Sequence, residues 1–445
     1  MYRIFLIVSQ LILLVVLTSL TINYSLPVSI SLNDIIITIS SKYIILSLAI
    51  IILLVIFLQR IFFFFQKSLI KFNSNKKQKA YERGYHSFLQ GMVALANKDF
   101  KKVISETKNV DKSFQNKSLG LLLRSEMLKI EKKFHDLYEV YEEMLNDPNT
   151  KLLGLRGLME ENLRTQDYHH AFIYGEKLFA INPNIDKLYD TLINIIGRTK
   201  NWQKLLEINE KSLKKKIISK NIYLTNKSIA FYEIAKIKKD SSIEESISLV
   251  EKAIKFRENF IPYLCFYVDL LINTNNAEKA KKVLKKSWSS SPHPELKIEI
   301  KKLASKMKIS LQELSKFITT NTYNHPESKK LLAESFIQNE KWDEARNTIK
   351  SLLEHKPEKE ICLLMAKIEE GISGDPQKIN SWISRSNLGK EKKIWICQIS
   401  GITQNEWSSV SSSGHFNSLK WQYPQTIAQF SSSGFEIDSL EYIGN

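Results

Sequence analysis

Metal or thiolate chemistry in this chain would have to come from WICQISGITQNEWSSVSSSGHFNSLKW, residues 395–421. Trp-x-Cys, Ser-Gly, a second Trp, a Ser-rich turn and a third Trp give it the outline of a small zinc module. Zinc needs about four ligands of cysteine or histidine type. Cys397 is the one cysteine in the stretch and His415 could lend a second ligand, which leaves the set incomplete. The remaining cysteines, Cys265 and Cys362, are far away in sequence, so no pair could start a metal site or a disulfide framework, and the usage fits a reducing compartment. Among the 8 histidines, His169-His170 opens a repeat helix beside Tyr168, so at most one can face a groove; the pair reads as a helix-start surface feature. Cys-x-x-Cys-His, GxGxxG, GxxxxGK[ST], GxSxG and HExxH are all absent from the sequence. No residue is therefore assigned a catalytic, cofactor-binding or metal-binding role, and the chain reads as non-enzymatic and without a cofactor.

The 445 residues allow two or three ordinary domains or one long repeat array. Lys plus Arg number 64 against 47 Asp plus Glu, and the net charge of +17 permits nucleic acid, an anionic membrane face or an acidic partner without choosing among them; taken with the rest of the chain, no nucleic-acid partner is expected. With only 14 Gly and 10 Pro, and much Leu, Ile, Lys and Glu, the composition is that of a mostly helical protein.

Two apolar stretches open the chain: IFLIVSQLILLVVLTSL from Ile4 to Leu20 and YIILSLAIIILLVIFLQRIFFFF from Tyr43 to Phe65. Each is long enough to cross roughly 30 Å of hydrocarbon as a helix. No small-x-small cleavage site follows the first, so both are expected to be true spans. Between them Val28, Ile30 and Leu32, then Ile35, Ile37 and Ile39, alternate with polar residues around Asn33-Asp34, the pattern of a β-hairpin. Lys67, Lys71, Lys76, Lys77, Lys79 and Arg83 follow the second span, opposed by Glu82, whereas the short loop has Lys42 and Asp34. The positive-inside rule then puts both termini in the cytoplasm, with the basic segment beside anionic lipid head groups.

Beyond residue 84 a repeat emerges. A large or apolar residue begins the second helix of each pair and a smaller or apolar one follows three later: Phe100/Val103, Phe134/Leu137, Tyr168/Ala171, Trp202/Leu205, Ile243/Ser246, Ala277/Ala280, Leu311/Leu314 and Trp342/Ala345. The first members are separated by 34, 34, 34, 41, 34, 34 and 31 residues, and Pro stands fifteen residues after four of them, at 183, 292, 326 and 357. Small residues let paired helices approach, the aromatic fills the space beside them, and Pro ends the second helix. Thirty-four residues is the tetratricopeptide period. The 41-residue step is expected to hold a longer loop around KIKKDSS, residues 236–242. Such an array buries its core by stacking neighbours and offers a concave face to a peptide or another protein. Lysine runs such as SLKKKIISKN (212–221) read as solvated faces.

The order of parts resembles that of bacterial HemY-type proteins: two anchoring helices with a short hairpin, a basic stalk, then Arg83-Gly84-Tyr85, Gly91-Met92, Ala94, Ala96 and Asp99-Phe100. Near the other end Gly374-Asp375 and Trp382-Ile383 resemble that family's last helical pair, so the likeness covers nearly the whole chain. The resemblance implies a tetratricopeptide protein of the inner membrane associated with haem biosynthesis. It also implies a tail with two Cys-x-x-Cys knuckles, against which Cys397 stands at the first ligand position, Ser400 at the second, and SSSGHF at the second knuckle. The tail is thus read as a vestigial ribbon framed by Trp395, Trp407 and Trp421, without zinc. An unrelated flavin-dependent oxidase has shared the family name; its Gly-rich FAD motif is not present here.

The resulting expectation is an all-α chain: a two-helix transmembrane hairpin (1–66), a basic stalk (67–83), a tetratricopeptide superhelical solenoid of about eight helix pairs (84–386), and a short degenerate zinc-ribbon-like tail with a flexible end (387–445). It would hold protein partners in its groove, by resemblance the enzymes of late haem (porphyrin) synthesis, and would contact lipid through its N-terminal helices and stalk. A general membrane-tethered adaptor for assembly or quality control of envelope proteins is the alternative.

Overall fold

The computed structural model describes residues 8–10, 12–13, 15–16, 19, 27–32, 35–114, 117–354 and 356–424. It divides into two units, Met1–Val140 and Tyr141–Asn445.

In the first unit, most of the expected first span lies outside the described residues; those described within it are helical, and Gln10 Nε2 donates to Gln59 Oε1 at 3.2 Å. The alternating segments pair as read from the sequence. Strand β1 (Pro27–Leu32) runs antiparallel to β2 (Ile35–Ser40), with Leu32 opposite Ile35 and Pro27 opposite Ser40. Helix α1 then runs unbroken through 56 residues, Ser41–Ala96. Between Ser41 and Arg83 there is neither Gly nor Pro to interrupt it. Among the described residues, one helix is long and apolar enough to cross a membrane, the 25 residues Lys42–Gln66. At 1.5 Å per residue it reaches about 37 Å, and side chains such as Leu46, Phe57 and Phe62 point outward, exposed. The basic stalk is a continuation of this helix. Helices α2 (Phe100–Ser113), α3 (Ser118–Glu131) and α4 (Phe134–Met144) follow, and the unit boundary falls within α4.

The second unit continues with α5 (Lys151–Arg164), α6 (Tyr168–Ile181), α7 (Leu188–Thr199), α8 (Trp202–Lys214), α9 (Lys220–Lys238), α10 (Ile243–Phe256) and α11 (Ile261–Asn273). Then come α12 (Ala277–Ser290), α13 (Pro294–Met307), α14 (Leu311–Thr319), α15 (Pro326–Gln338), α16 (Trp342–Ile349), α17 (Lys359–Ile372) and α18 (Pro376–Asn387). All eight residues read as starts of second helices, from Phe100 to Trp342, are the first residues of helices. Their partners three positions on, from Val103 to Ala345, are each buried to within 1% exposure. Antiparallel helix hairpins with the tetratricopeptide period therefore build the array.

Three of the turns inside the hairpins share a chemistry. A residue with left-handed backbone ends the first helix, as at Lys98, Gln166 and Lys200. An Asp or Asn comes next, and its side chain caps the second helix: Asp99 accepts from the Lys102 amide at 3.1 Å, Asp167 from His170 at 3.1 Å, and Asn201 from Lys204 at 3.3 Å. The expected long loop at 236–242 is corrected. Helix α9 has 19 residues and runs through Lys238, so the extra residues of the 41-residue step lengthen a helix by about two turns.

Packing inside the hairpins demands small residues where rings arrive. A Cβ on Gly371 of α17 would overlap the indole of Trp342, which opens α16. Overpacking costs about 1–3 kcal/mol and alanine returns up to about 1 kcal/mol of helix propensity. Gly371→Ala is therefore expected to lower stability by about 1–2 kcal/mol, measured by urea unfolding followed by circular dichroism.

The departures from helix are β1–β2 and a three-stranded antiparallel sheet in the tail, with β3 (Ile394–Cys397) between β4 (Thr403–Gln404) and β5 (Leu419–Gln422). The expected flexible end from residue 425 onward lies outside the described residues.

Candidate interaction face

The tail sheet lies across the first helices of four consecutive hairpins, α7, α9, α11 and α13. Trp407 anchors it. Its indole meets Tyr232 of α9 at 5.6 Å, Phe260 at the cap of α11 at 5.0 Å and Tyr263 at 5.8 Å, all edge-on, as aromatic pairs prefer. Trp395 packs on Trp421 across the β3–β5 pair at 5.4 Å, and its Nε1 donates to Glu295 Oε1 of α13 at 2.6 Å. At the other end the Phe416 amide donates to Asn194 Oδ1 of α7 at 2.8 Å, and Arg198 Nη2 donates to the Ser413 carbonyl at 3.3 Å. Gly197 permits this approach, because a Cβ there would press on Val410 and Phe416. Trp395, Cys397, Trp407, Phe416 and Leu419 belong to the same continuous apolar core as the helices. Along α7, α9, α11 and α13 the first-helix face holds the chain's own tail.

The residues that gave the tail its zinc-module outline meet around Cys397. Its Sγ lies 3.2 Å from Ser418 Oγ and 3.5 Å from both the Ser400 amide and Ser413 Oγ. Ser400 Oγ and Ser413 Oγ are 2.8 Å apart, and Ser411 Oγ is 2.9 Å from Ser413 Oγ. Burial pushes the Cys397 thiol up, but hydrogen bonding with Ser400, Ser413 and Ser418 outweighs it and brings the pKa down to about 5. Hydroxyl–thiol hydrogen bonds join the two turns here. His415 takes part through its backbone, whose carbonyl accepts from Ser418 Oγ at 3.0 Å. Among the described residues no cluster of three or more His, Cys, Asp or Glu side chains is arranged to hold a metal ion. His169 and His170 are exposed at the start of α6, with His170 Nδ1 2.7 Å from Asp167 Oδ2.

Two histidines that sequence reading left unassigned have a definite structural task. His293 and His325 each precede Pro-Glu, and each accepts through Nδ1 from the amide two residues on, Glu295 and Glu327, at 3.2 Å. His-Pro-Glu recurring at two hairpin starts was the available signal. His293 is also buried against Trp421 at 4.7 Å. Burial, with a smaller contribution from Lys393, lowers its pKa to about 4. The sign follows from linkage: the unfolded chain takes a proton below the ordinary 6.5 while the folded one resists it until about 4. Stability is therefore expected to fall as pH drops from 6.5 to 4, and His293→Asn, which retains a cap acceptor, should flatten that slope in urea titrations at each pH.

Beyond the tail, the first helices α13, α15 and α17 carry a buried ionic network. Lys297, 7% exposed, donates to Glu334 at 2.9 Å and to Glu360 at 2.8 Å. Lys330, 2% exposed, pairs with Glu358 at 2.9 Å, Glu360 at 3.1 Å and also Glu327. Burial alone would raise the Glu360 carboxyl, but Lys297 and Lys330 together hold it at about 2.

No family model matches the sequence. No curated protein sequence matches it either. Among solved structures the chain is similar to the Naa15/Naa10 complex bound to HypK-THB, at 13% identity and a TM-score of 0.43, with 70% of this chain and 50% of that one covered. It thus spans about half the length of that protein. It is also similar to the TPR2AB domain of yeast Sti1 in complex with pHSP90, at 11% identity and a TM-score of 0.30 over 69% of this chain and 99% of that one. A third is a tetratricopeptide repeat protein from Parabacteroides merdae, at 13% identity and a TM-score of 0.26 over 56% and 98% of the two chains. The repeat architecture described above rests on the helix spacing and packing of this chain itself.

Proposed function

We propose that this chain is a non-catalytic scaffold, anchored by two spans in a bacterial inner membrane, that binds other proteins on the cytoplasmic side and organises or regulates late haem synthesis there. The observation that carries the anchored scaffold is the single helix α1, in which an apolar span passes without a break into the first hairpin of a repeat array. Stacked hairpins present broad surfaces suited to gripping polypeptides. The second span is supported by the helical residues between 8 and 19 and by the hydrogen bond from Gln10 to Gln59. Orientation follows from the lysines and arginine between 67 and 83, set against a nearly uncharged loop. The haem connection rests on the resemblance carried by Arg83-Gly84-Tyr85, Asp99-Phe100 and Trp382-Ile383.

Depletion followed by porphyrin profiling tests the pathway, with accumulation of a late intermediate as the expected result. Unchanged haem and unchanged intermediates would remove haem synthesis and leave a general envelope-protein adaptor. Thiol labelling of single cysteines placed at Ser29 and at Lys76 tests the topology, the first reacting from outside and the second only after permeabilisation.

A further inference from the structure

The docked tail does more than cover the first-helix face: at its α7 end it completes a pocket of about 620 Å³, within the range of small-ligand and peptide-anchor sites. We infer that this pocket binds a short extended peptide segment that inserts an aliphatic side chain, which makes the tail part of a binding site. The inference rests on the protein-binding reading above and assigns it a place.

Three features define the ligand. The walls are aliphatic and aromatic: Ile193 from α7, Ile218 and Ile222 at the start of α9, and Phe416 from the tail. They suit a branched or straight aliphatic group. The floor is polar. Tyr189 Oη gives its one proton to Asn209 Oδ1 at 3.0 Å, and Asn209 Nδ2 donates to the Tyr223 carbonyl at 2.8 Å. Tyr189 must then accept, and does so from Asn226 Nδ2 at 2.8 Å. This chain of bonds fixes which way Asn226 is turned. Asn226 is 3% exposed and lines the pocket, and with its Nδ2 committed to Tyr189 its Oδ1 is the atom left to accept. A peptide N–H entering the pocket can donate to that oxygen.

The rim supplies the complement. Helix α7 begins after Lys187, which makes no side-chain capping bond, so backbone N–H donors of its first turn lie along the same wall. Asp186 and Asp190 stand with Lys187 and Lys216 on the rim, so charge there is balanced and selects neither a polyanion nor a polycation. An acceptor on one side, donors on the other and aliphatic walls between match an extended peptide backbone with one apolar side chain.

The test uses the full chain in nanodiscs, panned with phage-displayed random linear heptapeptides, whose enriched sequences are synthesised and titrated by fluorescence polarisation. An aliphatic consensus is expected, with binding at least tenfold weaker for Ile222→Asp and for Phe416→Ala. Ile222 is 46% exposed at the mouth, so its substitution leaves the fold intact even where Phe416→Ala loosens the tail. Equal affinity for the parent and Ile222→Asp overturns the site, and so does a library that yields no enriched peptide. A photo-crosslinking residue placed in cells at Ile222, and separately at Ile298 on the exposed side of α13, distinguishes the two levels of the argument. Adducts at Ile298 with none at Ile222 would remove the pocket and keep the scaffold; adducts at neither position would remove both.

Discussion

Trp407→Ala should release the tail from the helices and cost about 3–5 kcal/mol, the range for deleting a large buried aromatic. The indole is 8% exposed and touches three rings contributed by α9 and by α11 with its cap. Each edge-on pair adds about 0.5–1.5 kcal/mol beyond the area buried. Trp407→Phe provides the contrast. The indole Nε1 is buried and has no hydrogen-bond partner among the described residues, so removing that N–H carries no penalty from a lost bond. Phenylalanine keeps a ring among the same three partners and removes fewer buried atoms, so it should cost clearly less than alanine. Urea unfolding by circular dichroism measures both. Limited proteolysis between Asn387 and Ile394 reads the release directly: rapid cleavage is expected for alanine and parent-like resistance for phenylalanine. Resistance in both variants would mean that the tail is held elsewhere.

Lys330→Met should also be damaging, by about 1–3 kcal/mol at neutral pH, because it removes the buried ammonium on which three half-buried carboxylates converge and leaves Glu360 with Lys297 alone. Glu327, Glu358 and Glu360 all converge on this ammonium, whose own pKa lies above its ordinary value because those charges outweigh the burial that would lower it. The pH dependence identifies the cause. In the parent, Glu360 titrates at about 2 when folded and 4.5 when unfolded, so its contribution is complete above 4.5 and lost as pH falls towards 2. In Lys330→Met the surviving carboxylates repel one another and take up protons more readily, so part of the deficit should return on acidification from pH 7 to 5. A deficit that did not change with pH would point to lost packing in place of lost charge pairing.

How much of this could be read from the sequence depends on the range of the interactions involved. The second-helix starts were legible because their determinants are neighbours in sequence: a large or apolar first residue with a smaller or apolar one three later, and at Asp99, Asp167 and Asn201 a cap just before. The β-hairpin was legible for the same reason, since alternation and a two-residue connection fix its register. The long α9 was misread because Asp240-Ser241-Ser242 marks where a helix begins again, while the lysines before it are good helix formers. The docking of the tail was hidden by distance. Trp407 and Tyr232 are 175 positions apart, and a tryptophan frame looks alike whether it surrounds a metal or faces an apolar helix. Gly197 was the available clue, a glycine within an otherwise apolar helix whose absent side chain makes room for another part of the chain. The ionic network was hidden for a similar reason: Lys297, Lys330 and Glu360 meet only when three hairpins stack.

The uninterrupted helix from Ser41 to Ala96 has a mechanical consequence. Of its 30 residues beyond Gln66, the 17 from 67 to 83 precede the first hairpin and form a mast about 25 Å long, at 1.5 Å per residue. Torque on the first hairpin therefore reaches the apolar stretch Lys42–Gln66 directly, with no swivel in between to absorb it. The azimuth of that hairpin about the axis of the apolar stretch is set by helical phase, each residue of mast turning it by about 100°. Seven more residues would lift it by about 10 Å and leave its heading almost unchanged, whereas five would turn it to face nearly the opposite way.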